Sequence, residues 1–240
     1  MAQIFPKWTN ETPKMIAAGG GVASVFVTVA FYMWASPWHT DVGYKPRQPV
    51  AYSHALHAGR LELDCRYCHS FVERGPMAGV PPTQTCMNCH LQVKPKSPAL
   101  APVRESWATG ESIRWVRIHK LPDYAFFDHS AHVGVGVGAN RAAIGCESCH
   151  GRIDEMEVVK QVKPLSMSWC VECHSNPEPN LRPVEAITKM GWTPGPGWAE
   201  RAAQIAKTLA PPGSLSRVHQ VNAEGQPITV AAYGCNGCHR

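Results

Sequence analysis

Every cysteine of this 240-residue chain falls in one repeated pattern. The five copies are Cys65-Arg-Tyr-Cys68-His69, Cys86-Met-Asn-Cys89-His90, Cys146-Glu-Ser-Cys149-His150, Cys170-Val-Glu-Cys173-His174 and Cys235-Asn-Gly-Cys238-His239, and none of the ten thiols is left over. Two thiols three residues apart, followed at once by an imidazole, form the attachment pattern of c-type haem: the thiols bond the porphyrin vinyl groups and the histidine takes the proximal face of the iron. Zinc explains the pattern poorly, because it pairs two C-x-x-C units per ion and gives no role to a histidine after each second cysteine. A thioredoxin-like motif stands once, in a βαβ setting, and is not repeated along a Pro- and Gly-rich chain. Five covalently bound haem c groups are therefore the expectation, on Cys65, Cys68, Cys86, Cys89, Cys146, Cys149, Cys170, Cys173, Cys235 and Cys238. His69, His90, His150, His174 and His239 are the proximal ligands.

Five macrocycles also bear on what fills the interior. Only 8% of residues are aromatic, while Gly and Pro together number 41, so the chain is rich in turns and short of material for a conventional core. The fold class that follows is a multihaem cytochrome c, mostly irregular with short helices, its core built by the cofactors. The formal charge of +5 comes without Lys/Arg blocks, which argues against nucleic acid as a partner.

Residues 15–36, MIAAGGGVASVFVTVAFYMWAS, carry no charge over 22 positions, about 33 Å as a helix and enough for a bilayer core. The run lacks a clear A-x-A site and exceeds a typical signal-peptide core, so a retained transmembrane anchor in contact with membrane lipid is expected. Flanking Lys7, Lys14, Lys45 and Arg47 orient it only weakly. Covalent haem attachment on the outer side of an energised membrane sets the direction: single pass in a bacterial cytoplasmic membrane, N-terminus inside, haem domain periplasmic.

An iron that only carries electrons needs a sixth ligand. Of twelve histidines, seven are not proximal: His39, His54, His57, His119, His129, His132 and His219. His39 follows the anchor, where an interfacial His is ordinary. Tyr52-Ser-His54-Ala-Leu-His57 recurs as Phe127-Asp-His129-Ser-Ala-His132, and each copy precedes two haem motifs, a tandem duplication. His54, His57, His119, His129 and His132 are the expected distal ligands, with His119 assigned to the second motif. Met156, Met167 and His219 are further candidates; a thioether would raise the potential of its haem. With an axial ligand available for every iron, no catalytic residue is expected and the chain reads as an electron wire.

The anchor, the duplicated Y/F-x-H-x-x-H with its C-x-x-C-H motifs, the linking WVRIHKLPDYAFFDHSAH, the PLSMSWCVECH stretch and the terminal CNGCHR resemble the pentahaem subunit of alternative complex III, a bacterial quinol:electron-acceptor oxidoreductase. Each half also resembles the class III multihaem cytochromes. The resemblance implies polytopic quinol-binding membrane subunits, an iron–sulfur subunit related to molybdenum enzymes and a monohaem cytochrome c as partners, with electrons passing toward a soluble carrier or terminal oxidase. The class III likeness implies that the first His of each pair binds the haem that follows it and the second a later one. The alternative is a membrane-anchored quinol dehydrogenase that oxidises quinol directly and feeds a periplasmic reductase.

The expected organisation is an N-terminal stretch 1–14, the anchor 15–36, a linker 37–51, a two-haem half 52–126 and a three-haem half 127–240. Residues 93–102 read as a loop, TPGPG as a turn, and 198–209 as an amphipathic helix with Ala202, Ile205, Ala206 and Leu209 on one side.

Overall fold

Proline in the first turn opens several helices of this chain. The computed structural model describes residues 4–134, 142–209, 217–221, 227–231 and 238–239, which divide into one compact unit up to Val42 and a second from Gly43 onward. In the first unit a 3-10 turn Lys7–Asn10 leads into α1, Thr12–Ala35. Pro13 lies in the first turn of α1, where its missing N–H is no loss, and Lys14 pairs with Glu11 at 3.0 Å. The helix stops where Pro37 forces Ser36 into an extended conformation, ψ 148°, and the short α2, Pro37–Thr40, follows. With 24 residues α1 is about 36 Å long and apolar enough to cross a membrane. Its large side chains face outward on all sides, as a lipid environment favours.

The second unit is built of short pieces. After a π-helical stretch Ala55–Arg60 come α3, Cys65–Cys68, α4, Thr83–His90, and α5, Ala101–Thr109. Then follow α6, His129–Val133, β1, Ala143–Ile144, α7, Cys146–His150, α8, Met167–Ser175, β2, Leu181–Arg182, and α9, Trp198–Leu209. Strands β3, Arg217–Val221, and β4, Pro227–Ala231, form an antiparallel hairpin. Part of the stretch expected as loop, 93–102, is helical. Pro98 and Pro102 occupy first turns, of the 3-10 helix Pro98–Leu100 and of α5, so they start helices instead of breaking them. Gly110, at φ 76°, closes α5 in the left-handed conformation that glycine adopts most easily.

Among the described residues the buried apolar side chains form three small clusters. Val50, Met87 and Val103 bring the segment before the first histidine pair against α4 and α5, and the Thr83 and Ser106 hydroxyls meet at 2.6 Å beside them. Val133, Ala143 and Ile187 pack with Val72 and Cys146. Ala142, Leu181, Ala202 and Ile205 form the third, where α9 covers the β1–β2 pair through its alternate Ala and Ile positions. Burial of Ile205 contributes roughly 1.5–3 kcal/mol. Each cluster holds three or four buried residues, far fewer than a conventional core of this chain length requires.

Candidate haem-binding sites

The cysteines of the first four motifs lie on short helices. Residues i and i+3 share a helix face, so the two thiols of each motif project together and the following histidine stands at the helix end. Asp64 caps α3 by accepting from Arg66 N at 2.8 Å, and Ser166 Oγ accepts from Trp169 N in α8. The nine cysteines described are free thiols. Cys235 lies outside the described residues; Cys238 and His239 of its motif are within them, with Phe126 N donating to the Cys238 carbonyl.

Six of the imidazoles share one mode of support. Nδ1 of His57 lies 2.9 Å from the Ser53 carbonyl, of His69 2.6 Å from Gly79, of His90 2.9 Å from Val93, of His129 2.7 Å from Pro76, of His132 2.7 Å from Asp128 and of His239 3.1 Å from Tyr124. A carbonyl oxygen only accepts, so in each ring Nδ1 carries a proton, and the neutral form of the ring has its lone pair on Nε2. This is how a protein presents an imidazole to a metal: the second nitrogen is tied to the backbone, which fixes both tautomer and ring direction.

The rings then pair. His57 faces His90 with centroids 6.2 Å apart, His132 faces His174 at 6.0 Å, and His129 faces His150 at 6.4 Å. Two imidazoles that bind one metal through Nε2, at about 2 Å each, hold their centroids about 6 Å apart, so these spacings fit an iron between the rings. His54 stands within electrostatic reach of His69. His119 lies against His150 at 4.4 Å, edge to face, and so beside the third motif, whereas the sequence assigned it to the second; the second motif is met by His57 instead. Met156 is half-buried, its carbonyl accepting from Ala55 N, and Met167 is 72% exposed at the start of α8. His39 stacks on Trp34 within the first unit, and the His219 side chain lies outside the described residues.

An aromatic ring divides each histidine pair. Tyr52 stacks on His57 at 4.5 Å and meets His54 edge-on at 4.8 Å; Phe127 does the same to His132 at 4.5 Å and His129 at 4.8 Å. The duplication visible in the sequence is thus a duplication of geometry. The dividing role of Tyr52 and Phe127 is not apparent from the sequence, although their matching place ahead of both pairs was its signal.

Electrostatics favour neutral imidazoles. Burial, reinforced by the neighbouring His119, His129, His69 and His54, pushes His150 down to about 3, and burial with His69 and His57 nearby lowers His54 to about 4. Burial likewise lowers His119, His132 and His174. Neutral imidazole is the metal-binding form. His119 Nε2 is buried without a hydrogen-bond partner, a loss of about 1–3 kcal/mol for a polar atom unless a ligand takes the lone pair, and His54 Nδ1 is also buried without one. Around the motifs Phe71, Val80 and Leu91 are more than half exposed, apolar walls suited to a porphyrin face. Donor set, spacing and walls all fit haem.

The thiols also give the motifs a spatial order. Cys68 feels Cys86, Cys65 and Cys146 act on each other, Cys149 is pushed up to about 12 by burial and by Cys173 and Cys170, and Cys170 feels Cys238. These interactions bring the second, first, third and fourth motifs next to one another in that order, with Cys238 of the fifth beside the fourth, and the first repeat meets the second at Cys65 and Cys146.

No family model matches the chain. It is 32% identical over 146 residues, 59% of its length, to the multihaem cytochrome c subunit of menaquinone reductase from Nitratidesulfovibrio vulgaris, and the match spans 64% of that relative. That similarity, with the repeated motifs and the paired imidazoles, supports a multihaem cytochrome c carrying covalently bound haem.

Proposed function

We propose that the protein is the electron-transfer subunit of a membrane quinone oxidoreductase complex, binding five haem c groups and resembling in design the pentahaem subunit of alternative complex III. The observation that carries this is the spatial order of the described motif residues together with their paired imidazoles. When bound, the haems supply the one-electron chemistry; the chain supplies ligands, spacing and environment. His69, His90, His150, His174 and His239 hold the proximal faces. His57 serves the second motif and His132 the fourth; His54 and His129 serve the first and third, and His119 is the remaining distal ligand.

Asp64 joins the halves, accepting a hydrogen bond from Thr188 Oγ1 at 2.9 Å while it caps the first motif's helix. The Cys65–Cys146 contact lies at the same junction. In this reading α1 anchors the haem domain on the periplasmic side, docked on polytopic quinol-binding subunits. An iron–sulfur subunit of the molybdoenzyme type and a monohaem cytochrome c complete the assembly. The relative belongs to a complex named for reducing menaquinone, and a wire of this kind carries electrons either way as potentials dictate.

The test compares quinol reduction of the haems in the isolated chain and in the assembled complex purified from membranes. Rapid reduction in the complex and slow reduction of the isolated chain is the expected result. Equally rapid reduction of the isolated chain would make it a quinol dehydrogenase in its own right, the competing reading.

A further inference from the structure

A guanidinium lies buried under the third motif. Arg182 stands in β2 with its side chain 9% exposed, and its Cδ, Nε and Cζ lie so close over Gly145 that a Cβ there would collide with all three. Gly145 is the residue before Cys146, so the charge sits at the foot of the helix that bears the third pair of thiols. Arg182 Nη1 donates to the carbonyls of Lys189, at 3.0 Å, and Ala186, at 3.4 Å, and the guanidinium lies 5.3 Å from the Trp192 ring centre. Nη2 is 3.7 Å from Oε2 of Glu147. Glu147 stands between the two cysteines of the motif; its Oε2 accepts from Gly191 N at 2.8 Å, and its Oε1 lies 3.9 Å from Arg152.

We propose that Arg182 and Glu147 set the reduction potential of the haem held by Cys146 and Cys149. The proposal rests on the haem reading of the motifs. An arginine keeps its charge when buried, and in a region of low dielectric that charge acts at full range on neighbouring groups. Its field already reaches the Cys146 sulfur. A fixed cation favours the reduced state of an adjacent redox centre and a fixed anion the oxidised state, so the two side chains act with opposite sign. Glu147 offsets Arg182 only in part, since its other oxygen faces Arg152. The third motif stands where the first repeat meets the second, and its potential decides whether an electron crosses between halves downhill or uphill.

The test uses the full-length membrane-extracted protein with haem counted by pyridine haemochrome, and spectroelectrochemical titration of wild type, Arg182→Gln, Arg182→Lys and Glu147→Gln. Arg182→Gln is expected to move one transition to more negative potential and leave the others in place. Glu147→Gln is expected to move that transition the opposite way, and Arg182→Lys to stay close to wild type. Opposite shifts from two neighbouring substitutions have no source in a merely structural role. Titrations that superimpose, or shifts of the same sign in Arg182→Gln and Glu147→Gln, would overturn the proposal. If Arg182→Gln does not fold, the sign of the Glu147→Gln shift decides alone. A wild-type chain without haem on Cys146 and Cys149 overturns the underlying reading as well, whereas full haem content with unmoved transitions overturns only this inference.

Discussion

The ring of His57 faces the ring of His90 at 6.2 Å with the planes inclined by 66°, and His132 faces His174 at 6.0 Å with the same inclination. One histidine pairing has been copied with its geometry intact. Replacing His57 by Ala should therefore leave haem attachment at Cys86 and Cys89 unchanged while removing the far ligand of that iron. One haem of the five should turn from low-spin to high-spin, read by low-temperature EPR. His132→Ala should reproduce the effect at the fourth motif. Retention of all low-spin signals in His57→Ala would mean that His57 is not a ligand.

Tyr52 and Phe127 occupy equivalent positions as dividers, one with a hydroxyl and one without. Tyr52→Phe should therefore be close to neutral in stability. Tyr52→Ala should cost about 3–5 kcal/mol in denaturation and broaden the low-spin signals of two haems together, because both rings lean on it.

Gly59 lies so close to the Asp154 carbonyl that an added Cβ would collide with its oxygen. The backbone bond from Ala55 N to the Met156 carbonyl, 3.0 Å, holds the same seam between the first histidine pair and the segment after the third motif. Gly59→Ala should destabilise the protein by about 1–3 kcal/mol, measured by thermal melting, since the obstacle is backbone and cannot rotate away.

Asp64 carries a pH signature. Its hydrogen bond from the Arg66 side chain, above all, holds its carboxyl down to about 2, with burial opposing. A carboxylate whose folded value lies below the unfolded one stabilises the fold above the unfolded value, near pH 4, and that contribution disappears as pH falls toward 2. Asp64→Asn keeps a capping oxygen and loses the charge, so it should flatten acid denaturation over that interval and lower stability at pH 7 by the same small amount. The side chain is 43% exposed, which limits the ion pair to a fraction of 1 kcal/mol. Asp64→Ala also loses the cap and should cost about 1 kcal/mol at neutral pH.

Local signals in the sequence were clear where chemistry or periodicity is local. The motifs named their own cysteines, and Ala202, Ile205 and Ala206 marked the helix Trp198–Leu209 by their spacing alone. The repeated histidine pair was legible because its two copies share an aromatic and an i, i+3 interval. What the sequence concealed depends on contacts across long stretches of chain. The placing of His119 beside His150 and the carbonyls of Gly79 and Pro76 beneath His69 and His129 are set by tertiary packing. Arg182 has no local mark at all: a single arginine before a proline looks like surface until the chain folds it over Gly145. Pro98 and Pro102 misled in the other direction, since a proline signals a break inside a helix and a start at its first turn.

The central claim is that this one chain holds five haems through its ten cysteines, and the intact mass of the denatured, membrane-extracted protein tests it most directly. The expected mass is that of the polypeptide plus five haems, with no thiol left to alkylate. A bare polypeptide with ten alkylatable cysteines, or fewer than five haems in the fully processed protein, would contradict it.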